Sequence, residues 1–208
     1  TEEFIQMNLK NKTISFLGDS ITEGCGASSV EKRFDEVLME MAELADVNNY
    51  GIGGTRIARQ QKINPDTVVW DENSYCERFD KVEEADIIVV FGGTNDYGHG
   101  DAPIGDISDE TPYTFCGAVN ILSEYLVKNY GKDGVCFILP LHRKNEDNPF
   151  GEGDKKKKGG TLSDYITAEV SVLKKNGVNY LDMRSDFSPE KLDELTIDGI
   201  HPNAKGHK

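Results

Sequence analysis

Three short, mostly apolar runs constrain this chain more than anything else in it: T-I-S-F-L at 13–17, D-I-I-V-V-F at 86–91 and V-C-F-I-L-P-L at 135–141. Each reads as a continuous hydrophobic strand buried on both faces, as in a parallel sheet covered by helices on both sides. Two weaker runs, D-V-N-N-Y at 46–50 and V-N-Y-L-D-M at 178–183, add candidate strands. Between the runs, three segments carry apolar residues at helical spacing. Val30, Phe34, Val37, Leu38, Met41, Leu44 and Ala45 form a stripe over 30–45, and Phe115, Ala118, Val119, Leu122, Leu126 and Tyr130 form another over 112–130. A third runs through Leu162, Tyr165, Ile166, Val170 and Leu173 over 161–176, with Gly177 placed as its stop. Strands alternating with helices predict a single α/β domain over 1–208, a three-layer αβα sandwich around about five parallel strands.

A chain of 208 residues buries roughly 70% of the surface its unfolded form exposes, so it needs no covalent staples. The four cysteines, Cys25, Cys76, Cys116 and Cys136, lie far apart and form no C-x-x-C pair. They read as free thiols in a reducing compartment, with neither a disulfide framework nor a zinc site. Lys and Arg number 23 against 37 Asp and Glu, a net charge of −14 that repels nucleic acid and anionic membrane surfaces and favours a neutral substrate. The opening T-E-E-F-I-Q-M-N-L-K lacks the apolar centre of a signal peptide. No run approaches the ~18–20 apolar residues of a membrane span. The expectation is therefore a cytoplasmic protein with no membrane span, no nucleic-acid partner, no metal and no cofactor.

The residues able to do chemistry lie where strands end. The first run leads into G-D-S-I-T-E-G (18–24), which places Ser20 in a tight turn above the sheet edge. There it either acts as a nucleophile or caps a helix. Near the other end, D-G-I-H holds Asp198 and His201 three residues apart. In a compact turn the carboxylate can hold one imidazole nitrogen and leave the other to take a proton, or the pair can precede a final helix beginning near Pro202. N-Y-G-I-G-G-T (49–55) and G-G-T-N-D (92–96) follow two further strands and offer backbone amides and the Asn95 side chain, the donor types an oxyanion needs, though glycine and asparagine also suit ordinary turns. Residues 92–111 and 142–160 read as loops at the carboxyl edge of the sheet, where open α/β folds bind ligands. The lysine run Lys155–Lys158 within the second reads as a solvated loop rather than an anion patch.

Taken in order, G-D-S-I-T-E-G, N-Y-G-I-G-G, G-T-N-D and D-G-I-H-P-N resemble the four blocks of the SGNH (GDSL-like) serine hydrolases, over essentially the whole chain from residue 13. The resemblance implies that family's flavodoxin-like sheet and the hydrolysis of an ester through an acyl-enzyme. It implies Ser20 as nucleophile, Asp198 and His201 as its partners, and an oxyanion hole built from the Ser20 amide, Gly54 and Asn95. Gly53 takes the place of Gly54 if the register slips by one. The substrate it points to is a small acyl, acetyl above all, on a polar or carbohydrate alcohol; lysophospholipase and thioesterase chemistry are alternatives on the same site. Asp19, Arg56, Asp96, His99 and His142 are candidate substrate contacts, and Trp70 reads as core packing rather than a sugar platform. Competing readings are a metal-dependent phosphoesterase, a flavodoxin-like binding protein and a non-catalytic carbohydrate-binding domain.

Overall fold

The computed structural model describes residues 8–63, 65–66, 68–153, 155 and 158–208. Most of the opening segment, together with Lys156 and Lys157 of the lysine run, lies outside them. Five strands, β1 Thr13–Gly18, β2 Asp46–Gly51, β3 Ile87–Phe91, β4 Val135–Ile138 and β5 Asn179–Leu181, form one parallel sheet in the order β2-β1-β3-β4-β5. The helices in chain order are α1 Ser20–Glu23, α2 Phe34–Ala42, α3 Val68–Asp71, α4 Tyr75–Arg78, α5 Thr94–Gly98, α6 Phe115–Tyr130, α7 Leu162–Asn176 and α8 Leu192–Leu195.

The three continuous apolar runs are the three central strands, and the two weaker ones are the edges. β3 is buried at every position, whereas β2 and β5 are half-exposed along their length. Side chains alternate between two cores. Leu17, Ile88, Val90 and Phe137 meet α6 and α7 on one face, where Phe115, Leu122, Leu126, Tyr165 and Leu173 are fully buried. Ile14, Phe16, Val89 and Phe91 face the other side, with Phe34 and Leu38 of α2 packed against them and Phe187 and Leu192 completing the cluster. This second face is partly open, as an apolar groove of about 1280 Å³ with Met41 among its lining residues.

Local chemistry fixes the two long helices. Thr114 caps α6 by accepting from the Gly117 amide at 3.2 Å. Thr161 and Asp164 form a reciprocal capping box on α7, and Gly177 ends it in the left-handed region at φ 65°.

Three expectations differ. The stripe over 30–45 is broken, because Arg33 is extended (ψ 149°) between a 3₁₀ turn at Val30–Lys32 and α2. Arg33 turns its guanidinium onto the buried Asp35 carboxylate, and Val30 and Met41 are left exposed. The segment 92–111 is not all loop, since it opens with α5. No helix starts at Pro202, which instead pairs with Thr196 across an antiparallel bridge and leads into a turn over 204–207.

The sheet order places a reversal between β1 and β3, from which the chain winds outward in opposite directions. The crevice above their carboxyl ends is where such sheets bind ligands. Ser20 follows β1 and Asn95 follows β3.

Candidate active site

Ser20 is held by a turn with little freedom. A Cβ on Gly18 would lie 1.9 Å from Thr22 Oγ1, so only glycine lets the chain fold back at the strand end. Asp19 then caps α1, its Oδ1 accepting from the Ile21 amide at 3.0 Å. The Asp198–His201 turn is closed independently, by the Thr196–Pro202 bridge and by Thr196 Oγ1 accepting from the Gly199 amide at 2.8 Å. Within it, Asp198 Oδ1 accepts from the Ile200 and His201 amides at 2.9 and 2.8 Å, and Oδ2 lies 2.7 Å from His201 Nδ1. His201 Nε2 is 2.9 Å from Ser20 Oγ across 181 residues of chain. Burial acts to raise the Asp198 carboxyl, but the His201 amide, the imidazole and the Ile200 amide outweigh it and hold it below its ordinary value. The carboxylate is thus ionised where it touches the ring.

The second and third loops meet beside this pair. Gly54 has φ 73°, and a Cβ on it would lie 2.5 Å from the Trp70 ring, which covers it while remaining 40% exposed. Asn95, in the first turn of α5, is buried; its Nδ2 donates to Thr55 O at 3.0 Å and its Oδ1 lies 3.0 Å from His99 Nε2. His99 Nδ1 is 2.5 Å from an Arg56 guanidinium nitrogen, and Arg56 forms a buried ion pair with Asp71.

The sequence profile of the GDSL-like lipase/acylhydrolase family matches residues 16–208. This chain belongs to that family. No curated protein matches it. Among solved structures it is similar to a protein from Lactobacillus plantarum, with 28% identity and a TM-score of 0.78 over 95% of this chain and 91% of that one. It also resembles a "possible lipase" from Chitinophaga pinensis (19%, TM-score 0.67, 94% and 93% covered) and an acetyl xylan esterase (21%, TM-score 0.61, 94% and 93% covered). The five-stranded parallel sheet is the fold these proteins share.

Several candidate substrate contacts of this GDSL-family chain are engaged internally. Asp96 is buried and accepts from the Ile57 and Ala58 amides at 2.9 and 3.0 Å, so it ties the second loop to the third instead of facing a ligand. Burial pushes its carboxyl up, and those two amides oppose the rise. Arg56 is buried against Asp71 and His99 rather than reaching a substrate or a surface carboxylate. Asp19 braces the Ser20 turn, and burial drives its carboxyl up to about 6 despite the Ile21 amide. The Gly53 amide donates to Glu23 Oε2 at 3.0 Å. His142 pairs with Glu146 at 2.9 Å and opens on a separate shallow pocket with Asp182, Arg184 and Ser188. Trp70 is not core packing; it forms a wall over Gly54, its ring 5.7 Å from that of His99. Lys155 is not solvated either, since its ammonium donates to Asp96 O at 2.7 Å and lies 4.9 Å from the Tyr165 ring centre.

The bracing roles of Glu23, Asp71 and Arg78 went unnoticed in the sequence. Arg78 is buried and donates to Gly18 O and Tyr50 O, binding the first loop to the second. No local spacing marks such residues, because their partners are brought to them by the fold.

Proposed function

We propose that this chain is a serine ester hydrolase in which Ser20 attacks, His201 moves the proton and Asp198 orients the ring. The observation that carries the reading is the pair of contacts at His201, 2.9 Å to Ser20 Oγ on one nitrogen and 2.7 Å to the Asp198 carboxylate on the other. A carboxylate accepts only, so Nδ1 carries the proton and Nε2 is the free base. Nε2 takes the Ser20 proton as Oγ bonds to the ester carbonyl carbon, and the imidazolium returns it to the departing alkoxide. Water, deprotonated by the same nitrogen, then releases the acid from the acyl-enzyme. The Ser20 amide, at the first position of α1 and without an intrahelical partner, the Gly54 amide and the second N–H of Asn95 Nδ2 receive the oxyanion. Gly54 suits this role better than Gly53, whose amide is already bonded to Glu23.

Covalent labelling by a fluorophosphonate, abolished in Ser20→Ala, is the expected result. Folded wild-type protein that does not label would end the reading. The substrate class we infer is a small acyl, acetyl in the first instance, on a polar or sugar alcohol. Its support is the net charge of −14, which disfavours an anionic lipid surface, and the half-exposed Trp70 face beside Gly54, suited to a sugar ring. Rates across acyl chains from acetyl to palmitoyl, together with acetylated sugars, test it. A preference for long chains would replace it with the lysophospholipase reading.

A further inference from the structure

The four groups from Asp71 to Asn95 form an unbroken polar chain, and its direction can be deduced. The Arg56 guanidinium offers only donors. It lies 2.5 Å from His99 Nδ1, so that nitrogen is the acceptor and the ring proton sits on Nε2. Nε2–H then donates to Asn95 Oδ1 at 3.0 Å, which fixes which end of the amide is oxygen. Nδ2 is left facing Thr55 O with one N–H, and its second N–H points elsewhere. Arg56 in turn is held by the buried Asp71 carboxylate. Thr55 O alone holds the amide by a single N–H; without a donor at Oδ1 the amide can tilt about that one bond and its second N–H loses its aim.

We propose that His99 is a positioning residue for ester hydrolysis, oriented by Arg56 and Asp71, and that it locks the Asn95 amide with its N–H toward the developing negative charge. The inference rests on the reading of Asn95 as an oxyanion donor. His99 acts through Asn95 and at no other point of the reaction.

The test is steady-state kinetics of the full chain on p-nitrophenyl acetate, with thermal melts to verify folding. His99→Leu lowers kcat roughly ten- to a hundredfold with KM little changed, as expected for a misplaced donor. In an Asn95→Ala background the same substitution has no further effect, because the group it positions is gone. His99→Gln keeps a donor at the place of Nε2, whereas His99→Asn keeps only an acceptor for Arg56; Gln must outperform Asn, and this pair decides the matter should His99→Leu not fold. Losses that multiply in the double variant, or Asn equalling Gln, overturn the proposal while leaving the serine hydrolase reading intact. A Ser20→Ala variant that keeps the rate removes the reading and the proposal with it.

Discussion

Replacing Gly54 by alanine tests the proposed oxyanion hole at its most constrained point. The residue has φ 73°, where a side chain costs about 1–2 kcal/mol. The new methyl would lie 2.5, 2.6 and 2.7 Å from Trp70 Cδ2, Cε2 and Cγ. The ring must therefore withdraw by roughly 1 Å to restore a contact of about 3.5 Å. Trp70 is 40% exposed, so it can swing outward, and the fold survives. At about 2–4 °C per kcal/mol for a domain of this size, Tm falls by about 2–8 °C. Activity suffers more, because an alanine also relaxes the backbone away from φ 73°, and a shift of the amide by about 1 Å is enough for a loss of roughly 10² in kcat. Gly53→Ala is the control. Its methyl would meet the exposed Glu23 carboxylate at 2.8 Å, which can swing aside, and Ser20 Cβ at an ordinary 3.6 Å, so kcat should change little. Rates on p-nitrophenyl acetate and calorimetric melts of both variants decide the question. If Gly54→Ala keeps wild-type kcat, or Gly53→Ala is the more damaging, the donor has been assigned to the wrong glycine.

Asp198→Asn keeps an oxygen for the Ile200 and His201 amides but presents an N–H to His201 Nδ1. The ring proton then moves to Nε2, and kcat should fall by up to roughly 10⁴ with the melt nearly unchanged; a loss under tenfold would show that the carboxylate does not set the tautomer. Asp19 has a folded pKa raised by burial from 3.8 to about 6, so its contribution to stability is present below about pH 4 and is lost as pH rises to about 6. Asp19→Asn retains the acceptor for Ile21 and removes the titration. Urea unfolding of the two proteins should diverge in favour of the variant by about 2 kcal/mol between pH 4 and 6, and parallel curves would refute the buried carboxyl as the cause.

How much of this was legible in the sequence follows from where each element sits. β1, β3 and β4 declared themselves because central parallel strands are buried on both faces and carry few polar residues. β2 and β5 were faint because an edge strand exposes part of each face. α5 could not be seen, since five residues carry no periodicity and its first position follows a glycine at φ 96°. The break at Arg33 depends on a buried carboxylate, Asp35, that is indistinguishable from a surface one by spacing. Asp198 and His201 were readable as a pair because their contact is local, three residues apart. The approach of Ser20 to His201, 181 residues distant, came only from the order of the four blocks. Asp96 and Arg56 were misjudged because a polar residue beside one of the four blocks reads the same whether it faces a ligand or holds a loop, and Trp70 because a tryptophan away from every block reads as core.

That second role governs how the site is built. Loops are ordinarily the mobile part of a fold, yet an oxyanion hole works only if its donors are already in place. Here each loop is tied to the next by hydrogen bonds, most of them at least partly buried. Arg78 joins the first to the second at Gly18 O and Tyr50 O, and Asn49 adds a bond to Thr22 O. Asp96 joins the second to the third through the Ile57 and Ala58 amides. Arg143 donates to Thr94 O at 3.1 Å and Lys155 to Asp96 O, joining the third to the fourth. The Lys144 amide donates to Gly199 O at 2.8 Å, joining the fourth to the terminal turn. The circuit closes at Ser20 and His201. Under the proposed mechanism that last link alone exchanges its proton in each turnover, while the others stay fixed, so the ring of ties holds the hydroxyl, the imidazole and the amide donors in register without the loops having to move.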